Sequence, residues 1–271
     1  MSRKPAWKKR QEAQRRRLRW ALTVVALGAI LVAASMFRDF RASRGTLNPV
    51  LAGAPDAAAV SVPPPEPVLL AEAEPPASGP GTFVIGTTRG QILGTAGTLK
   101  RFRIAAESNV AADDLTEFTR MVDATLGDPR SWIAGKQVRF QRVADGEPYD
   151  FTIHLATRDT AHKMCSQSGL DIRVDGIPYT SCQQWKKVII NLDRWHKSIP
   201  DYVDGGVPLE TYRQYVINHE VGHELGRGHE GCPGEGKPAP TMYRQTLGLD
   251  GCTANPWPYL DGKRYAGEPV A

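Results

Sequence analysis

The stretch HEVGHELGRGH at residues 219–229 decides how this chain is interpreted, because it follows the pattern H-E-x-x-H-x-x-G-x-x-H. His219 and His223 are four residues apart, so on a helix they lie on one face, one turn above the other. Gly226 falls where such a helix would end, and a glycine permits the reversal that brings His229 round as a third ligand. Three neutral imidazoles suit Zn²⁺, so the sequence predicts a zinc site formed by His219, His223 and His229.

Glu220 is the candidate catalytic residue beside this site. With three protein ligands, the fourth position of the zinc stays open to water, which is typical of catalytic rather than structural sites. Glu220 follows the first ligand and can point at that position as a general base. Two alternatives remain: histidines that only pack within a helix, and a zinc site that has lost its chemistry.

The motif resembles that of the metzincin zinc peptidases. These enzymes also carry a methionine turn beneath the metal, and the segment PTMY at residues 240–243 makes Met242 the candidate for it. The resemblance implies an α+β fold: a mixed twisted sheet with a backing helix, a zinc-binding active-site helix, and an irregular C-terminal lobe across a cleft. Several metzincins place a tyrosine two residues after the methionine. Here that position is Arg244, and the neighbouring Tyr243 is expected to pack.

A wider stretch, about residues 81–260, resembles a family of extracytoplasmic actinobacterial proteins with a domain of unknown function. The segments that carry this resemblance are DPRSW (128–132), VIINLDRW (188–195), YRQYVINHE (212–220), GCPG (231–234) and NPWP (255–258). It implies a location outside the cytoplasm and an overall architecture, but no substrate.

An uncharged apolar run at residues 20–37 predicts one N-terminal transmembrane helix. As a helix it spans about 27 Å, enough to cross a bilayer. Nine Lys and Arg residues precede it and three closely follow, so the positive-inside rule places the basic tail, residues 1–19, in the cytoplasm. We therefore predict a single-pass signal anchor in the cell membrane. The alternative is a signal peptide cleaved near residues 32–35, which would release a secreted protein.

The rest of the chain divides into a linker and a domain, which differ from the N-terminal tail in charge. Residues 38–80 are rich in Ala and Pro, which predicts a semi-stiff extracytoplasmic linker. The remaining residues, 81–271, form the predicted metallopeptidase-like domain and hold 22 Lys and Arg against 23 Asp and Glu. The net charge of +5 therefore originates in the N-terminal tail, and no nucleic-acid partner is predicted.

Four cysteines and no C-x-x-C pair are present, which agrees with disulfides outside the cytoplasm. Three pairings are open, and Cys165–Cys182 with Cys232–Cys252 is the simplest. Free buried thiols are the alternative.

Hydrophobic periodicity predicts the secondary structure around the site. Helices are expected at residues 113–126 and 209–225, and strands at 82–85, 100–104, 138–143, 151–155 and 187–192. Residues 151–156, which include His154, are a possible sheet edge for binding an extended peptide. Glu224 and Glu230 flank the ligands and are expected to be exposed acids; the alternative is that either accepts a hydrogen bond from a ligating imidazole.

The sequence thus predicts a membrane-anchored, extracytoplasmic zinc metalloendopeptidase whose partner is a peptide or protein substrate in the cell envelope. The alternatives are a zinc-containing binding module of the envelope without turnover, and a hydrolase of a peptidoglycan amide bond.

Overall fold

The computed structural model describes residues 68–270. The predicted cytoplasmic tail, the predicted transmembrane helix and the linker up to residue 67 lie outside this range. Between residues 68 and 270, no helix is long and apolar enough to cross a membrane. Residues 68–80 lie along the domain, where Ala71 N donates to His196 O at 2.8 Å and Leu209 N donates to Val68 O at 2.8 Å.

Seven strands form one mixed sheet, which confirms the α+β class. The described residues contain eleven strands in all. In chain order they are β1 Phe83–Ile85, β2 Ile92–Leu93, β3 Thr98–Glu107, β4 Val138–Arg142, β5 Phe151–Ala156, β6 Arg173–Val174, β7 Ile177–Pro178, β8 Cys182–Gln184, β9 Lys187–Asn191, β10 Tyr259–Leu260 and β11 Lys263–Arg264. The sheet order is β2-β4-β3-β5-β9-β8, with β1 also paired to β3. Strands β4, β3, β5 and β9 run parallel, whereas β1, β2 and β8 are antiparallel to their neighbours. Strands β6 and β7 form a separate hairpin, as do β10 and β11.

The described residues also contain five helices and two 3₁₀ turns, Trp132–Gly135 and Gln245–Leu247. The helices are α1 Ala112–Gly127, α2 Arg158–Ser166, α3 Leu192–Lys197, α4 Pro200–Asp204 and α5 Leu209–Glu224. Helices α1 and α5 contact each other and the same face of the sheet. The first turn of α5 carries Glu210, whose charge suits the positive end of the helix dipole.

Alternating side chains of the central strands fill a core on each face of the sheet. In β9, Val188 and Ile190 pack into the larger core beneath α1 and α5, while Ile189 faces the smaller core that contains Cys165. Trp195, which is fully buried, packs edge-on against Phe118 of α1 with ring centroids 4.9 Å apart. The larger core therefore fixes α5 against the sheet.

The prediction that residues 151–156 lie at a sheet edge is wrong. Strand β5 pairs with β3 on one side and β9 on the other, and all six of its residues are buried. The apparent alternation arises because Thr152 and His154 are polar but buried. The sheet edge that borders the candidate site is β8.

Candidate metal centre

Helix α5 ends in a hydrogen-bonded turn that positions the third histidine. Gly226 adopts a φ of 78°, and Gly226 N donates to His223 O at 2.9 Å. Arg227 N then reaches back to Gly222 O, also at 2.9 Å. These two bonds form a Schellman motif, which glycine favours because it has no Cβ to strain a positive φ. The reversal expected at Gly226 is confirmed, and it brings His229 back beside the helix.

The three histidines form one cluster. Their ligand-capable atoms all lie within 4.8 Å of one another, and Nε2 of His219 is 3.2 Å from Nε2 of His223. The remaining nitrogens of these two rings face main-chain carbonyls. Nδ1 of His219 donates to Thr241 O and Nδ1 of His223 donates to Arg227 O, both at 2.8 Å. A carbonyl can only accept, so each Nδ1 carries a proton.

This tautomer leaves two lone pairs facing each other across 3.2 Å. In a neutral imidazole the second nitrogen is an acceptor, so neither Nε2 can donate to the other. A cation between them would turn this repulsion into attraction. A zinc ion with bonds of about 2.0–2.1 Å at a tetrahedral angle holds two nitrogens roughly 3.3 Å apart. The donor set therefore fits zinc.

Burial keeps the imidazoles neutral. It lowers the pKa of His219 to about 3, with a further contribution from His223, and lowers the pKa of His229 to about 4. The positive charge of Arg244 acts on both rings in the same direction. Burial also lowers the pKa of His223. Neutral imidazoles are the form that ligates metals, so the folded chain holds all three ready to bind.

Glu220 lies against the cluster in a poorly solvated position. Its side chain is 5% exposed, and burial raises the pKa of its carboxyl group to about 8. The residue lines the same cleft as the three histidines. A carboxylate with raised proton affinity beside a ligand set is suited to accept a proton from water and hold it.

Met242 packs against helix α5 close to the residues that carry the histidines. It is fully buried, and its side chain contacts α5 at Gly222 so closely that a Cβ there would stand 2.4 Å from Sδ. The ring of Trp132 approaches the same glycine, 2.7 Å from that Cβ position. The adjacent Thr241 supplies the carbonyl that fixes His219. The segment around Met242 therefore supports the helix at Gly222, which lies between His219 and His223 in the sequence.

Two disulfides are present, Cys165–Cys182 and Cys232–Cys252, as predicted. The second closes a loop that contains Thr241 and Met242. The first joins α2 to β8 and closes a loop that contains the β6–β7 hairpin. Each disulfide thus restrains a segment that borders the candidate site.

A cleft of about 690 Å³ opens beside the histidines. One side is formed by residues 170–174 and by β8 with the residues just before it. The other is formed by α5, residues 226–229, Arg244 and the 3₁₀ turn that follows. This space is large enough for several residues of an extended chain.

Neither Glu224 nor Glu230 accepts a hydrogen bond from a histidine of the cluster, so the alternative role for them is not supported. Glu224 accepts from Gln183 Nε2 at 2.7 Å, and Glu230 accepts from Arg264 Nη2 at 2.5 Å. The rings of His219 and His223 donate to main-chain carbonyls instead. Tyr243 donates to the carboxylate of Asp250.

Sequence reasoning missed the side chains that hold the ligand helix in place. Asn218, fully buried next to His219, accepts from Ser131 Oγ at 2.8 Å and donates to Pro256 O at 3.0 Å. Its carbonyl accepts from Trp132 Nε1 at 2.9 Å. Tyr215, four residues before His219, packs at a tilt against its ring, with the ring centroids 5.3 Å apart. The i, i+4 spacing of Tyr215 was the one available signal.

Comparison with known proteins agrees with the second resemblance found in the sequence. No curated protein and no solved structure matches the chain significantly. A family model described as "Protein of unknown function (DUF3152)" matches residues 71–257, which is more than half of the chain. The matched range includes His219, His223, His229 and Met242. The chain therefore belongs to the DUF3152 family of proteins of unknown function.

Proposed function

We propose that this protein is a membrane-anchored, extracytoplasmic zinc metalloendopeptidase of metzincin-like type that cleaves peptides or proteins of the cell envelope. One observation carries the proposal: two acceptor nitrogens face each other at 3.2 Å within a three-histidine cluster beside a buried glutamate. A cation resolves the repulsion between the nitrogens, and a glutamate beside an open ligand position serves hydrolysis.

The residues of the chain divide the chemistry between them. A zinc ion held by His219, His223 and His229 would polarise the scissile carbonyl and lower the pKa of water. Glu220 accepts the proton of the attacking water and passes it to the leaving amine, acting first as base and then as acid. The carbonyl of Thr241 holds the His219 ring in the orientation and tautomer that ligation requires.

The location rests on different observations. The apolar run at residues 20–37 and the surplus of Lys and Arg before it support an anchor with the domain outside the cytoplasm. The two disulfides support the same side of the membrane, since such bonds persist mainly in oxidising compartments.

The test compares the full-length, zinc-loaded chain with its Glu220→Gln variant on a mixed peptide library. We expect the variant to keep its zinc and to lose turnover by about 10²–10⁴-fold, the usual contribution of a general base. Glu224→Gln is the matched control, because Glu224 lies on the same helix but pairs with Gln183. Equal cleavage by wild type and Glu220→Gln would reject the mechanism. No cleavage by any zinc-loaded form would favour a binding module or a wall-derived substrate.

A further inference from the structure

Arg244 is an exposed residue on the wall of the cleft, two positions after Met242. Its backbone is fixed at the start of a 3₁₀ turn, where its carbonyl accepts from Leu247 N at 2.9 Å. Within residues 68–270, no carboxylate lies within salt-bridge distance of its guanidinium, and no hydrogen bond engages its side chain. The guanidinium is therefore available to a ligand in the cleft.

The other charged groups of the cleft are already engaged. Arg173 pairs with Asp171 at 2.9 Å. Arg227 donates to Gln137 Oε1 at 3.4 Å and lies over the ring of Trp132. Glu220 is buried beside the histidines. Arg244 is thus the charged side chain of this cleft that has no partner in the described part of the chain.

The chemistry of a guanidinium limits which groups Arg244 can bind in this position. It stays protonated in proteins and has no lone pair with which to ligate a metal. Its planar fork of donors matches a carboxylate through two parallel hydrogen bonds. Arg244 and the three histidines line the same cleft, so a group bound to Arg244 lies in the cleft that contains the histidine cluster. A bound dication would add to the positive potential there and favour an anionic ligand further.

We infer that Arg244 is a specificity-determining residue that binds a carboxylate of the substrate next to the scissile bond. The inference rests on the proposed peptidase function and narrows its substrate class to peptides with a free carboxylate near the cleaved position. That carboxylate comes either from an acidic side chain or from the carboxyl terminus of the peptide. The two sources present the same chemistry and are separated by the design of the probes.

The experiment measures binding, so it does not depend on turnover. Full-length, zinc-loaded protein carrying Glu220→Gln is titrated with pairs of acetylated hexapeptides. One pair differs only by an internal Glu or Gln, and the other only by a terminal carboxylate or carboxamide. We expect one carboxylate member to bind at least roughly tenfold more tightly than its partner, as for a charge-assisted hydrogen bond.

Variants then assign the preference to Arg244. Arg244→Gln should abolish the difference within the pair, and Arg244→Lys should retain part of it because the charge remains while the fork is lost. Arg89→Gln is the matched control, because Arg89 is exposed, pairs with Glu147 and does not line the cleft. It should keep the full preference. Zinc content and thermal midpoint are compared first to confirm that each variant is folded.

Three results would overturn the inference. A preference that persists in Arg244→Gln would show that the metal or another residue binds the carboxylate. Equal affinity for both members of each pair in the parent protein, or no binding of any peptide, would show that no carboxylate is recognised. In protein that retains Glu220, a lower kcat of Arg244→Gln for amide and carboxylate substrates alike, with KM unchanged, would place Arg244 on the transition state instead. If the carboxylate preference holds but wild type cleaves nothing, the peptidase proposal fails and the role of Arg244 in binding stands.

Discussion

Two main-chain carbonyls, those of Thr241 and Arg227, determine the tautomers of His219 and His223. Each accepts from Nδ1 of a histidine and so leaves Nε2 as the free acceptor. Because these acceptors belong to the backbone, no residue type in the sequence marks them. The carboxylates that the sequence did mark, Glu224 and Glu230, form other bonds.

Gly222 is the residue at which packing beneath the histidines can be tested most directly. In a helix interior, Gly→Ala is expected to stabilise by up to about 1 kcal/mol. Here the new Cβ would stand 2.4 Å from Met242 Sδ and 2.7 Å from Trp132 Cζ2, and the indole ring is buried. We therefore expect Gly222→Ala to destabilise the protein by about 1–3 kcal/mol through overpacking, measured by denaturant unfolding. Gly86→Ala, whose Cβ would have an ordinary contact at 3.7 Å, is the control. Equal stability of wild type and Gly222→Ala would contradict the packing described for Met242.

At the scale of elements, strongly periodic segments were predictable and short ones were not. Helices α1 and α5 and strands β3, β4, β5 and β9 all lie where the apolar pattern placed them. The three residues of β8 have no such pattern, and their place at the edge beside the cleft arises from pairing with β9. The predicted strand at 187–192 extended too far, because Asn191 caps α3 by accepting from Asp193 N at 3.0 Å. The spacing of the histidines identified three side chains that the structure brings together, but the pairing that buries β5 depends on tertiary contacts.

The loop closed by the Cys232–Cys252 disulfide contains a carbonyl group that orients one of the candidate ligand histidines. Removing this disulfide by a double Cys→Ala change should cost about 3 kcal/mol of stability in the chain-entropy model for a loop of this length. The zinc affinity should also fall, because the released loop contains Thr241, whose carbonyl fixes His219. The matched control is the double variant of Cys165 and Cys182, which opens a loop of similar length without a contact to a ligand histidine. Calorimetry and zinc titration would measure both quantities. An equal loss of zinc affinity in the two double variants would contradict a specific role for the second loop.

At the scale of the whole molecule, buried ionisable groups connect the candidate site to global stability. Burial lowers the pKa of His154 to about 4, in the sheet and away from the cleft, and those of His219 and His229 to similar values. Glu220 is shifted in the opposite direction, to about 8. Folding stability must therefore depend on pH with contributions of both signs.

The metal-free protein should be most stable near pH 7, where the protons on the unfolded histidines balance the proton on Glu220 in the folded state. Below that value the unfolded chain protonates its histidines at an ordinary pKa of about 6.5 while the folded chain does not, so stability falls as the pH drops towards 4. Above it the unfolded histidines are mostly neutral, so the proton on Glu220 dominates the difference between the two states. The folded chain retains the Glu220 proton up to a pKa of about 8, so stability falls as the pH rises towards that value. Each proton of difference changes the free energy of unfolding by about 1.4 kcal/mol per pH unit.

Glu220→Gln separates the two contributions, because glutamine cannot titrate. Between pH 4.5 and 6.5 the proton held by Glu220 in the folded state opposes those taken up by the unfolded histidines, so its removal should steepen the loss of stability on acidification. Between pH 7 and 8 the same variant should lose the decline seen in wild type, and its stability should become level as the last unfolded histidines lose their protons. Denaturant unfolding of both proteins in a chelator, across pH 4.5–8, measures the two slopes. A wild-type curve that does not decline between pH 7 and 8 would mean that Glu220 is ionised in the folded chain, and the desolvated setting that makes it an effective base would then be absent.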